Sequence, residues 1–235
     1  MNNIKNQSHI NKIETAILKN RTATSQWYFN PLLLPLYDFF VYRFVSQYIW
    51  GCSNDLLINR YKHYLNKNHL EVGVGTGYLI DHCNPTNFNL DLMDLSRSCL
   101  DQSRKRLSRY SPSIIRHNIL EVPMEEDKRY DSIGINYVMH CVAGDYTGKG
   151  IAFDNLKKLL NDGGVIFGAT VLPTNQSSAI TKLFMNLLNR IGIFNNSGDK
   201  IEDLKKALKQ HFKHVEVEIT SSVALFVASD DEGRL

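Results

Sequence analysis

The chain has 235 residues, 43% hydrophobic and 22% charged, with a formal net charge of +3 at pH 7. That length allows one large domain or two small ones around a substantial core, and so small a charge does not point to a nucleic-acid partner. The four cysteines, Cys52, Cys83, Cys99 and Cys141, lie far apart, with neither zinc spacing nor disulfide density, so no metal site, reduced thiols and a cytoplasmic location are expected.

Residues 1–25 are polar and Asn/Lys-rich, a loose arm or short amphipathic helix without the apolar run of a signal peptide. "PLLLPLYDFFVYRFVSQYIW" is interrupted by Pro35, Asp38, Arg43 and Gln47, which argues against a membrane span. The crowding of aromatic and aliphatic residues over 36–50 predicts a helix buried on most sides or covering a pocket. "CSNDLLINRYKHYL" predicts another helix, capped by Ser53 or Asn54. From residue 69 the pattern alternates. "HLEVG", "NLDLMD", "SIIRHN", "YDSIGINYV" and "GVIFGATVL" read as strands. "TGYLIDHC", "RSCLDQSRKRLSRY" and "GIAFDNLKKLLND", the last stopped by Gly163 and Gly164, read as helices. Such alternation predicts an α/β fold with a mostly parallel sheet. Further on, "SSAITKLFMNLLNRIGIF" is an amphipathic helix with apolar residues at 180, 183, 184, 187, 188 and 191. "GDKIEDLKKALKQHF" follows, with Asp199 and Glu202 at capping-box spacing. "VEVEIT" and "VALFVAS" form an antiparallel hairpin.

The stretch "HLEVGVGTGYLID" carries the chemistry. Gly73, Gly75 and Gly77 make G-x-G-x-G after a strand, whereas a dinucleotide site spaces its glycines G-x-G-x-x-G and would need the third at Tyr78. A carboxylate as close as Glu71 would repel a pyrophosphate but suits a ligand with an ammonium group and a positive sulfur. Asp94 ends the second strand, where it can accept both hydroxyls of a ribose. Asp91 competes for that role but lies inside the strand.

With these residues the chain resembles the class I S-adenosylmethionine-dependent methyltransferases, especially small-molecule methyltransferases of natural-product pathways. "LEVGVGTG", "LDLMDLS", "RHNILEVP", "YDSIGINYVMHCV" and "LLNDGGVIFGATVL" stand in the order of that family's five motifs across residues 65–175. The resemblance implies a Rossmann-like seven-stranded sheet with one antiparallel strand near the C-terminus and helices on both faces. An N-terminal helical lid over 1–64 would precede the binding domain, 65–235, in a single structural domain. It implies S-adenosylmethionine as cofactor. Gly73, Gly75 and Gly77 would approach its methionine part, Glu71 its amino group and Asp94 its ribose. Leu95, Asn118 and the Ile119 amide would meet the adenine, with Asn118 standing where the family usually has Asp. Asn136 and Tyr137 would lie near the sulfonium.

His140, after the fourth strand, is the candidate base or substrate-positioning residue. Cys141 beside it does not read as a Cys–His nucleophile, since adjacent side chains diverge. Tyr28, Tyr37 and Trp50 could line a lid over the acceptor, with Phe184, Met185 and Leu188 as the opposite wall. The basic helix from Arg97 to Arg109 reads as a solvated outer face. The expected function is in-line methyl transfer to O, N or C of a small, largely apolar or aromatic acceptor, by a monomer or homodimer with no nucleic-acid partner. The alternatives are an RNA or protein acceptor, or a non-catalytic cofactor-binding partner protein.

Overall fold

The alternation that begins near residue 69 builds seven strands: β1 (Asn68–Val72), β2 (Asn89–Asp94), β3 (Ser113–Arg116), β4 (Tyr130–Asn136), β5 (Leu160–Val171), β6 (His214–Thr220) and β7 (Val223–Ser229). This computed structural model describes residues 39–123 and 128–235, with side chains from Phe44 onward. The arm expected over 1–25 and the candidate acceptor residues Tyr28 and Tyr37 lie outside the described residues. The sheet order is β3-β2-β1-β4-β5-β7-β6. β1 to β5 pair in parallel, and β7 is antiparallel to both β5 and β6.

Helices cover both faces. They are α1 (Asn54–Tyr64), α2 (Tyr78–Cys83), α3 (Arg97–Arg106), α4 (Tyr146–Lys149), α5 (Ile151–Lys157), α6 (Ala179–Arg190) and α7 (Ile201–Lys209), and a π-helical segment, Phe39–Ile49, precedes them. Ser53 caps α1 by accepting from the Leu56 N–H. Alternation along β1 sends Leu70 and Val72 to one core, against Phe153 and Leu156 of α5 and Leu204 and Leu208 of α7. The other core joins Leu90, Leu92 and Phe167 to Leu57 and Tyr61 of α1, Leu79 and Ile80 of α2 and Leu100 of α3. A sheet buried on both faces is what parallel crossovers produce. No helix among the described residues is long and apolar enough to cross a membrane.

Four expectations change. The segment "LND", residues 160–162, belongs to β5 rather than to the preceding helix, and Leu159 lies in the turn between them. The Tyr130 N–H donates to the Leu159 carbonyl and Asn161 Nδ2 to Asp131, so β4 captures these residues before the helix can extend. Among the described side chains of the segment before α1, Val45, Ser46 and Trp50 are buried whereas Phe44 and Tyr48 are exposed, which is burial on one side and not on most. On α6 the apolar stripe does not simply face inward. Ile180, Leu183, Leu187 and Ile191 are exposed, while Thr181 and Met185 are buried and Phe184 and Leu188 half-buried. The capping box of α7 does not form, because the Asp199 carboxylate pairs with Lys149 Nζ at 2.5 Å instead.

Candidate active site

Past β1 the chain turns through Gly73, Gly75 and Gly77 at φ of +65°, +53° and +76°, a region that side chains disfavour. The Gly73 N–H donates to the Met93 carbonyl at 2.8 Å and ties the turn to β2. A Cβ at 73 would overlap the Val138 side chain, whereas one at 75 would stand in open space. Arg106 braces the turn by donating to Thr76 Oγ1 at 3.0 Å. Gly73→Ala combines a disfavoured φ with that overlap, so thermal melting should report a loss of about 2 kcal/mol.

At the tip of β2, Asp94 Oδ1 accepts from the Ser96 N–H at 2.8 Å. Burial pushes its carboxyl up to about 6, against backbone N–H bonds from Ser96, Gly75 and Leu95 that favour the ionised form. Asp91 is engaged elsewhere: the Tyr130 hydroxyl donates to it at 2.6 Å and Lys128 pairs with it. Leu95 is half-buried beside Asp94. Following β3, Asn118 Oδ1 accepts from the Leu120 N–H at 3.0 Å, and the Ile119 carbonyl accepts from Asn155 Nδ2 at 2.9 Å. These bonds fix the turn that carries Asn118 and Ile119. The basic helix α3 is partly neutralised, Arg97 by Asp101 and Arg106 by Asp81, which also pairs with Arg109 just beyond it.

At the end of β4, Tyr137 holds a left-handed backbone (φ +58°), its N–H bonded to the Ala169 carbonyl and its hydroxyl 2.7 Å from Ser46 Oγ. For a residue as bulky as tyrosine this conformation is uncommon, and it marks the end of β4 as a candidate functional position. His140 is buried, and its Nδ1 accepts from the Val171 N–H at 3.2 Å. The neutral ring therefore carries its proton on Nε2. Burial, aided by the Lys149 charge, pushes its pKa down to about 3. Its ring lies 4.3 Å from Phe194 and 5.9 Å from Tyr137, and Trp50 stands 5.6 Å from both Phe184 and Phe194. Trp50 is only 3% exposed, so it backs these rings instead of presenting an open face. Burial lifts the Cys141 thiol to about 12, which leaves no thiolate at neutral pH.

Beneath the turn, the Tyr61 hydroxyl donates to Glu71 Oε1 at 2.5 Å, His69 Nε2 sits 3.1 Å from Glu71 Oε2, and Asn136 Nδ2 donates to Tyr61 at 2.9 Å. Behind His140, the Asn195 N–H donates to the His140 carbonyl at 2.7 Å and Asn195 Nδ2 to the Cys141 carbonyl at 3.1 Å. Sequence reasoning missed Ser46, Tyr61, Phe194 and Asn195. Each reaches the site through a tertiary contact, and none belongs to a strand-end motif that could have marked it.

The chain matches a family model described as a methyltransferase domain over residues 70–166. It is 36% identical over 198 residues to the demethylluteothin O-methyltransferase of Streptomyces thioluteus, covering 83% of this chain and 86% of that protein. It is 37% identical over 217 residues to methyltransferase aurB of Calcarisporium arbuscula, covering 86% and 94%. In fold it is similar to the N-methyltransferase NodS of Bradyrhizobium japonicum in complex with S-adenosyl-L-homocysteine, with a TM-score of 0.56 and 17% identity over 76% of this chain and 86% of that one. With the glycine turn, the carboxylates at the tips of β1 and β2 and the single antiparallel strand all in place, the chain belongs to the class I S-adenosylmethionine-dependent methyltransferases.

Proposed function

We propose that the chain moves a methyl group from S-adenosylmethionine to a hydroxyl oxygen of a small, largely apolar or aromatic natural product. One observation carries this reading. The Glu71–glycine turn–Asp94 arrangement adjoins β4, which leads into a cluster of aromatic rings formed by Tyr137, His140, Phe194 and Phe184. The name of one relative, the O-methyltransferase of demethylluteothin, supports an oxygen acceptor on a small molecule.

The residues present fit the donor. Two carboxylates suit an ammonium group and a ribose diol, and the backbone at Gly75 faces open space where a ligand can approach it. When bound, the donor supplies a methyl group already activated on a positive sulfur, so the chain's task is alignment. Asp94 accepts from the ribose hydroxyls, and Glu71 draws the amino group directly or through water. Leu95, the Asn118 carboxamide and the Ile119 N–H hold the adenine, and Asn136 and Tyr137 border the sulfonium. Of the two roles expected for His140, its Nε2–H suits the second: it donates to the acceptor and orients it. On the acceptor side, Trp50 packs against Phe184 and Phe194 and backs the aromatic cluster, while Tyr28 and Tyr37 lie outside the described residues.

The test pairs calorimetry with turnover. The protein should bind S-adenosylmethionine and transfer its methyl group to demethylluteothin or to a member of a panel of phenols and enols, read by mass spectrometry. Uptake of a nicotinamide dinucleotide in place of S-adenosylmethionine would overturn the reading. His140→Ala should slow turnover about tenfold, the worth of one well-placed hydrogen bond, with cofactor affinity unchanged. The wild-type kcat should show no histidine inflection near pH 6.5.

A further inference from the structure

Tyr61 lies on α1, outside every strand-end motif, and is fully buried. Its hydroxyl has one proton and stands between two polar groups of the site, Glu71 Oε1 at 2.5 Å and Asn136 Nδ2 at 2.9 Å. The opposite carboxylate oxygen, Glu71 Oε2, faces His69 Nε2 at 3.1 Å. His69 Nδ1 lies 2.8 Å from Ser132 Oγ, which accepts from the Asn66 N–H at 2.8 Å. The polarity of the row follows from counting protons. Glu71 Oε2 can only accept, so His69 presents Nε2–H to it, and with Nε2 carrying the ring proton Nδ1 accepts from the Ser132 hydroxyl. A carboxylate only accepts, so the Tyr61 proton also goes to Glu71. The phenolic oxygen can then only accept from Asn136, and it must meet the amide nitrogen. The row has room because residue 134 is glycine: a Cβ there would overlap Glu71 Oε2.

We propose that Tyr61 is a positioning residue that fixes which way Asn136 faces, turning its amide nitrogen inward and so presenting its carbonyl oxygen to the positively charged sulfur of the methyl donor. This rests on the placing of Asn136 beside the sulfonium given above. A carbonyl oxygen favours the cationic donor over the neutral thioether left after transfer, so the row would favour exchange of spent product for fresh donor. Loss of the Tyr61 hydroxyl releases Asn136 to turn over and point N–H groups at the sulfur, which repels the donor and leaves the thioether nearly indifferent.

The experiment is titration calorimetry of S-adenosylmethionine and S-adenosylhomocysteine against wild type, Tyr61→Phe, Asn136→Leu and the double variant, without acceptor. Tyr61→Phe keeps the ring packed, and it should lower the donor-to-product affinity ratio about fivefold, the worth of one neutral hydrogen bond. Asn136→Leu, which removes the oxygen itself, should lower the ratio by a similar factor, and the double variant should fall no further. Tyr61→Phe weakening both ligands equally, or neither, overturns the proposal, because a packing role does not distinguish sulfonium from thioether. If Tyr61→Phe fails to fold, an unchanged ratio in Asn136→Leu overturns it and a lowered one supports it. A wild type that binds neither ligand overturns the donor reading itself, whereas a wild type that binds both, with the ratio unmoved by the variants, overturns this inference alone.

Discussion

Replacing Asp94 by asparagine is expected to weaken S-adenosylmethionine and S-adenosylhomocysteine alike by about two orders of magnitude. Hydrogen bonds to an ionised acceptor contribute about 1.5–3 kcal/mol each, and asparagine retains one neutral acceptor oxygen where the carboxylate offers two charged ones. The same residue sets a pH dependence. Burial holds its carboxyl up at about 6 in the free protein, and only the ionised form offers both oxygens as acceptors to the ribose hydroxyls. Binding therefore expels a proton at low pH. Affinity should be level above pH 7 and fall by up to about tenfold per unit below pH 6. Calorimetry from pH 5 to 8 checks both halves, with Asp94→Asn expected to lose the slope along with the affinity. A wild-type profile with no bend near 6 would detach Asp94 from the ribose.

Lys149→Met is expected to be the most damaging single change to stability. The ammonium and the Asp199 carboxylate are both essentially inaccessible and 2.5 Å apart, and Asp199 Oδ1 has no other partner among the described residues. Removing the cation strands a buried carboxylate, at about 3–5 kcal/mol, or about 10 °C in Tm for a chain of this size. Burial holds the Asp199 carboxyl up at about 6 even with Lys149 present. Without the cation it rises further, so the deficit should be largest above pH 7 and shrink as acid protonates the carboxyl. The double change Lys149→Met/Asp199→Leu should recover most of the loss, since two apolar groups can replace the pair. Lys149 Nζ also reaches the Asn195 carbonyl at 3.5 Å, and Asn195 holds the backbone of His140 and Cys141, so turnover should fall with stability. Equal melting of Lys149→Met and wild type at pH 8 would contradict this account.

The strands were legible because their signal is local. "NLDLMD" is β2 to the residue, and "HLEVG" is displaced from β1 by a single position, since alternation and flanking turns set those ends. The glycine turn was equally readable, because three left-handed positions in five residues require glycine there. What sequence could not supply depends on partners far along the chain. Asp199 has the spacing of a helix cap, yet a lysine 50 residues earlier takes its carboxylate. The apolar stripe of α6 is genuine, but periodicity does not say which side meets the core, and Ile180 and Leu183 are 69% and 72% exposed. His140 was identifiable as a strand-end histidine. Its tautomer was not, because the Val171 N–H that fixes it lies 31 residues away. Tyr61 had no signal at all: nothing in "LINRYKHYL" sets that tyrosine apart from Tyr64.

The order of strands at the far edge has a consequence for biosynthesis. β7 is translated after β6 yet is inserted between β6 and β5. Until Val223–Ser229 emerges, the segment "VIFGATV" of β5 leaves one row of backbone amides and carbonyls bare, and β6 has nowhere to dock. A nascent chain that stalls before residue 223 would expose an apolar, uncharged ribbon of the kind that nucleates aggregation. Closure of this sheet is therefore a late event in the life of the polypeptide, and the cell's chaperones would meet it with that ribbon still open.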